Sequence, residues 1–367
     1  MARRRVWIVG AMVFVSWACC AARASAQWQI ESKDGKANIK IGILAQPQLE
    51  TLETADEQAT SANLFIRRLR ILFGGAVSER WSFFVETDSP NVGKGNTNAG
   101  PTSGIKESGD IYLQDAYVTY AQNEAFKIDA GMIMLPHSRN GTQSAATLLP
   151  VDYGPYTFLD AGPSGERVGR DYGVQLRGYP AKQRLEYRLA LAQGIRGAEA
   201  RNPMRVSGRV VYYPFGAETG FFYAGTFQGT KKQVGIGASF DAQEDFRAYS
   251  ADGFVELPTF NKTQGFTVQV NWMRHDGGAT IAALPRQNTW LLEAGYHLFG
   301  HRLTPFVQYQ ARDFANAAIP DQSHLQLGAV WWMKGSQRNL KVSVGRLQVA
   351  GGPTRTQALA QLQIYYF

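Results

Sequence analysis

The chain has 367 residues, 38 basic against 30 acidic, and a net charge of +8. Without residues 1–26 that balance falls to +4, too mild to mark a nucleic-acid binder. Both cysteines, Cys19 and Cys20, fall in the first 26 residues. Arg3-Arg4-Arg5, the apolar run Val6 to Ala18 and the small-residue site Ala24-Ser25-Ala26 read as a cleaved signal peptide over 1–26. Loss of Arg3, Arg4, Arg5 and Arg23 leaves 34 basic and 30 acidic residues, a net +4, and a mature chain with no disulfide and no thiol.

After residue 26 no apolar run is long enough for a transmembrane helix. Yet the chain carries 20 Phe, 16 Tyr, 8 Trp and 38 Gly. An exported, cysteine-free, aromatic and Gly-rich chain of this kind fits a membrane β-barrel, whose lipid-facing and inward residues average out in any hydropathy window.

In chain order, 27–37 reads as a short polar lead and 38–367 as the barrel. Asn38 to Glu50 alternates Ile39, Ile41 and Ile43 with Asn38, Lys40 and Gly42. An acidic loop follows, with Glu53, Asp56 and Glu57. Asn63 to Asp88 reads as a hairpin. Phe65, Leu69, Ile71 and Phe73 form one face, Arg68 and Arg70 the other, and Arg67 falls on the apolar phase. Ser89 to Asp110 is a Gly-, Asn- and Pro-rich loop. The stretches 111–121 and 125–135 make a further hairpin. Pro136 to Gly169 lacks strand alternation but holds Leu148, Leu149, Tyr153, Tyr156, Phe158 and Leu159, so a loop folded inward after the fifth strand is expected. Strands resume at 170–179, 184–194, 205 onward and 219–228, and then at regular intervals to 357–367. Seventeen candidates result. A single-chain barrel with both ends on one side needs an even number, so sixteen strands are expected, with eighteen as the fallback and the surplus strand between Val210 and Met273.

Lys127, Arg68, Arg70, Arg177, Arg184, Arg188, Arg205 and Arg209 fall on inward phases. Two readings compete. They form an anion-binding ladder, or a solvated wall in which they pair with Asp115, Asp129, Asp171, Glu86 and Glu186. The aromatics Tyr112, Tyr120, Tyr187, Tyr212, Tyr223, Trp272, Trp290, Tyr296, Tyr309 and Trp331 read as an interfacial girdle. His275-Asp276 does not suggest an acid–base pair, because adjacent strand residues point to opposite sides. His297 and His301 lack a third ligand and read as structural, and no metal or cofactor is expected.

The ordered pieces Phe65-Ile66-Arg67-Arg68-Leu69-Arg70, Leu113-Gln114-Asp115-Ala116-Tyr117-Val118, Ile128-Asp129-Ala130-Gly131-Met132, Arg170-Asp171-Tyr172-Gly173-Val174, Thr304-Pro305-Phe306-Val307-Gln308-Tyr309 and the terminal Phe367 resemble the phosphate-selective porin O and P family. The resemblance implies a homotrimeric, sixteen-stranded channel in the lipid of a Gram-negative outer membrane. It also implies that loop three forms the constriction and that wall arginines bind small anions such as phosphate. By position, Arg67 and Arg68 take the place of the family's paired wall arginines, Asp115 that of a wall carboxylate, and Arg139 lies in the constriction loop. One departure is that residues 135–169 contain no lysine. The expected function is passive diffusion of small anions, phosphate among them. The alternatives are a weakly selective general porin, an outer-membrane enzyme or an adhesin.

Overall fold

The computed structural model describes residues 28–54, 59–95, 110–164, 168–259 and 262–367. The leader over 1–26, the mature N-terminus at Gln27 and the acidic residues Asp56 and Glu57 lie outside them.

A four-residue strand, β1 (Trp28–Glu31), turns back onto the start of the barrel wall, so part of the expected polar lead pairs with it. The wall runs β2 (Asn38–Glu53), β3 (Thr60–Ala76), β4 (Trp81–Asp88), β5 (Tyr112–Asn123), β6 (Phe126–Met134), β7 (Arg170–Gly178), β8 (Leu185–Ala192) and β9 (Arg205–Tyr212). It continues through β10 (Gln233–Gln243), β11 (Phe246–Pro258), β12 (Gly265–Asp276), β13 (Gln287–His297), β14 (Leu303–Phe314), β15 (Gln322–Lys334), β16 (Arg338–Val349) and β17 (Thr354–Tyr366). Each strand pairs antiparallel with the next, and β17 pairs with β2 to close sixteen strands into a ring. Closure removes the sheet edges that lipid would not tolerate.

Along most strands the exposed residues are mainly apolar and the buried ones mainly polar. On β15, Leu325 and Leu327 are 40% and 58% exposed, while His324 and Gln326 between them are 6% and 3%. A wall greasy on its open face and polar on its covered face belongs in a bilayer. Trp290, Tyr296, Tyr309 and Trp331 stand on the exposed face, as a girdle requires.

The seventeenth candidate was 219–228, and it is not a strand. Its backbone pairs instead with the segment after β6. Tyr223 N donates to Thr142 O at 3.0 Å, Ser144 N to Tyr223 O at 2.9 Å, and Thr226 N to Thr147 O at 3.1 Å. Tyr223 is therefore fully buried and not part of the girdle.

A second correction concerns β3. Ala45 opposes Leu69 but Pro47 opposes Ile66, so Arg67 and Arg68 together face the single residue Gln46. This β-bulge inverts the side-chain phase. Phe65 consequently lies on the buried face, 4% exposed, and not with Ile71 on the open one.

The terminal Phe367 shares the covered phase with Gln361, Gln363 and Tyr365, and no bulge separates them. Its ring lies across Gly42 and Gly74, where a Cβ would come within 2.7 Å of the ring, and meets Phe84 edge-on at 5.5 Å. Two glycines thus make the floor on which the last residue packs.

Candidate functional site

The segment between β6 and β7 is held by polar side chains from strands spread round the ring. Asn271 of β12 accepts from Asn140 N at 3.2 Å, and Asp252 of β11 from Arg139 N at 3.1 Å. Gln308 of β14 donates to Asp152 O at 3.2 Å, and Gln310 accepts from Tyr156 N at 2.7 Å. Lys341 of β16 donates to Leu148 O at 2.5 Å and Pro150 O at 2.8 Å. Gln363 of β17 donates to Ala146 O at 2.9 Å. Leu149 and Val151 pack with Phe306, Val330, Trp332 and Leu359 from the wall, which gives the segment an apolar anchor as well.

The wall cations are paired and mostly buried. Arg70 binds Glu86 at 2.6 Å and Asp88 at 2.9 Å, and Arg170 binds Asp115 at 3.2 Å. Arg177 binds Asp129 at 2.6 Å, Arg188 binds Glu186 at 2.5 Å and Arg209 binds Asp252 at 2.6 Å. Arg139 binds Glu218 at 2.7 Å and lies 3.6 Å over the Phe254 ring. Lys127 pairs with Glu124 at the β5–β6 turn. Arg184 corrects the expectation that it stands on the wall. It closes the turn after Pro180–Gln183, one residue before β8, and is exposed. The alternation placed it one residue too early in the strand.

Arg205 binds Asp160 at 2.7 Å and also contacts Asp241, and His137 lies 2.7 Å from Asp241. Donor atoms of His137, Asp160 and Asp241 lie within 4.8 Å of one another. Arg205 already meets both carboxylates and His137 faces both as well, so two basic side chains stand against the two acids. Sequence reasoning missed the cluster, because His137 and Asp160, far apart in the segment after β6, meet Asp241 of β10 only in the folded chain.

Arg67 and Arg68 differ from the other arginines. Both reach the same carboxylate: Arg67 Nε is 2.7 Å and Arg68 Nη2 2.5 Å from Asp152. Burial opposes charge on Asp152, but Arg67 and Arg68 overcome it and hold the carboxyl well below the usual carboxylate range. The side chains of Arg67 and Asp152 are each 26% exposed, within reach of water, whereas those of Arg188 and Glu186 are wholly buried. Beside this triad is a cavity of about 340 Å³, to which Lys94, paired with Glu50 at 2.7 Å, also contributes. Its charged lining is thus three cations against two carboxylates. The bulge that brings Arg67 to this side left a trace in the sequence, the phase break between Phe65 and Arg68.

A closed sixteen-strand antiparallel wall with an apolar outer and a polar covered face defines an outer-membrane porin, a channel and not an enzyme. A model of the phosphate-selective porin O and P family matches residues 45–274, well over half of the chain, and the chain belongs to that family. Solved structures share the fold at low identity. An OmpF complex with daunomycin from Salmonella typhi has 14% identity and a TM-score of 0.62, covering 92% of this chain and 100% of that one. An anion-selective porin from Comamonas acidovorans has 10% identity and a TM-score of 0.56, covering 90% and 100%. The outer-membrane channel DcaP of Acinetobacter baumannii has 11% identity and a TM-score of 0.53, covering 91% and 99%. No curated protein matches in sequence.

Proposed function

We propose that the protein is a passive diffusion channel for small anions, phosphate among them, whose preference is set where segment 135–169 narrows the lumen beside β3. The observation that carries this reading is the sharing of Asp152 by Arg67 and Arg68. One carboxylate cannot neutralise two guanidiniums, so a positive surplus remains at a water-accessible point. A fixed charge in a narrow, partly desolvated passage acts far more strongly than in open water. Arg70, Arg177, Arg188, Arg205 and Arg209 each meet at least one carboxylate of their own and are buried, so they serve the wall's cohesion. The anion-selective relative from Comamonas supports the reading by analogy only. Export through a cleaved leader and assembly as a homotrimer complete the proposal. The test is the zero-current potential of the purified protein across a bilayer separating dilute from concentrated KCl. A potential of the sign set by chloride supports the reading, and a cation-signed potential overturns it.

A further inference from the structure

The cavity beside Asp152 is larger than a bare oxoanion needs. Its volume of about 340 Å³ falls at the low end of the roughly 300–1,000 Å³ typical of organic-ligand sites. One side is formed by Tyr153 and Phe158, whose rings meet edge-on at 5.1 Å. The other side is wall: Arg67 and Arg68 on β3, His324 and Gln326 on β15. His324 is 6% exposed, and its Nε2 has no hydrogen-bond partner among the described residues. An unpaired buried polar atom lowers stability and is uncommon unless something else satisfies it. Gln326, two residues along the same face, presents both an amide donor and an acceptor. The cavity therefore combines an aromatic surface, a surplus of one positive charge over its carboxylates, and neutral groups that bond hydroxyls.

We propose that this cavity is a subsite for a polyhydroxylated organic monoanion of the sugar-acid type. This rests on the anion-channel reading above. The carboxylate of such a solute meets the surplus charge of Arg67 and Arg68. Its hydroxyls bond His324 Nε2 and the Gln326 amide, and the carbon chain lies against the two rings. A neutral sugar lacks the charge for the arginine pair. A short carboxylate such as acetate lacks hydroxyls for the β15 groups.

The probe is gluconate, added on both sides of single channels in planar bilayers in dilute KCl, with glucose and acetate at equal concentration as controls. Gluconate at millimolar concentration is expected to interrupt the chloride current in resolved events, while glucose and acetate do not. In the variant carrying His324→Leu and Gln326→Leu, the gluconate events shorten at least tenfold and the zero-current potential in KCl is unchanged. Equal interruption by acetate or glucose overturns the subsite, as do gluconate events that persist unchanged in the variant. The wild-type comparison decides by itself if the variant fails to assemble. Anion preference in KCl without gluconate events overturns the subsite alone. A wild type with no anion preference overturns the channel reading and the subsite together.

Discussion

Arg67 and Arg68 are consecutive on one strand yet point to the same carboxylate, Asp152, at 2.7 and 2.5 Å. Adjacent strand residues normally face opposite ways. The β-bulge opposite Gln46 is what allows both to face inward. On the function proposed above, Asp152 sets how much of their charge a permeating ion feels. Asp152→Asn raises the surplus from one to two positive charges, so the anion-over-cation permeability ratio should rise severalfold in 0.1 M salt. In 1 M salt, where screening shortens to roughly 3 Å, the gain should shrink. Bi-ionic potentials of the variant at the two salt concentrations check this, and an unchanged ratio at low salt would contradict it.

The buried pairs should govern stability and leave selectivity alone. Arg188 and Glu186 are both buried, and Tyr213 and Tyr223 donate to Glu186 at 2.8 and 2.9 Å. Arg188→Met leaves a buried carboxylate without its cation and should cost about 3–5 kcal/mol, while adding Glu186→Gln should recover much of the loss. Urea unfolding in detergent measures both, and the zero-current potential of either variant should match the wild type.

The grip on segment 135–169 should weaken in alkali. His137 is largely buried, which disfavours its charge. Asp241 and then Asp160 more than offset this, against the repulsion of Arg205, and push it from 6.5 up to about 9. A group with its folded value raised stabilises the fold fully below about pH 6.5 and loses that contribution as pH rises through about 9. The wild type should therefore show a fall in urea midpoint between those values that His137→Phe lacks. Identical profiles for the two proteins would remove His137 from the account.

Lys341 is the fixed point for the turn at Leu148 and Pro150, donating to both carbonyls. Lys341→Met keeps the chain length but leaves two buried acceptors unmet, at about 1–3 kcal/mol. Open-channel current noise should increase as the segment loosens, and a trace as quiet as the wild type's would show that the apolar packing of Leu149 and Val151 suffices.

The barrel was legible because its signal is spread over the whole chain: period-two alternation such as His324-Leu325-Gln326-Leu327 survives in nearly every strand. The failures lie where that period breaks. The run from Gly220 to Ala224 has the apolar character of a strand, but its hydrogen bonds go to residues 142–147, a long-range pairing that no local pattern encodes. Arg67 was misphased by a bulge that adds one residue to β3 and nothing to the composition. The ladder arginines were recognised as polar-face residues, but Asp241 and Asp252, the partners of Arg205 and Arg209, come from distant parts of the chain. The pairing of Arg70, Arg177 and Arg188 with Glu86, Asp129 and Glu186 was among the readings the sequence offered, and it is the long-range partners that spacing did not show.

On the function proposed above, anion preference comes from Arg67 and Arg68 and not from the buried ladder. The most direct measurement is the zero-current potential in a low-salt KCl gradient for Arg67→Gln with Arg68→Gln, set beside Arg188→Met with Glu186→Gln. Removing the paired guanidiniums leaves Asp152 unopposed, and we expect the anion preference to vanish or reverse in the first protein and to persist in the second. Wild-type selectivity in the first protein, or its loss in the second, would contradict the account.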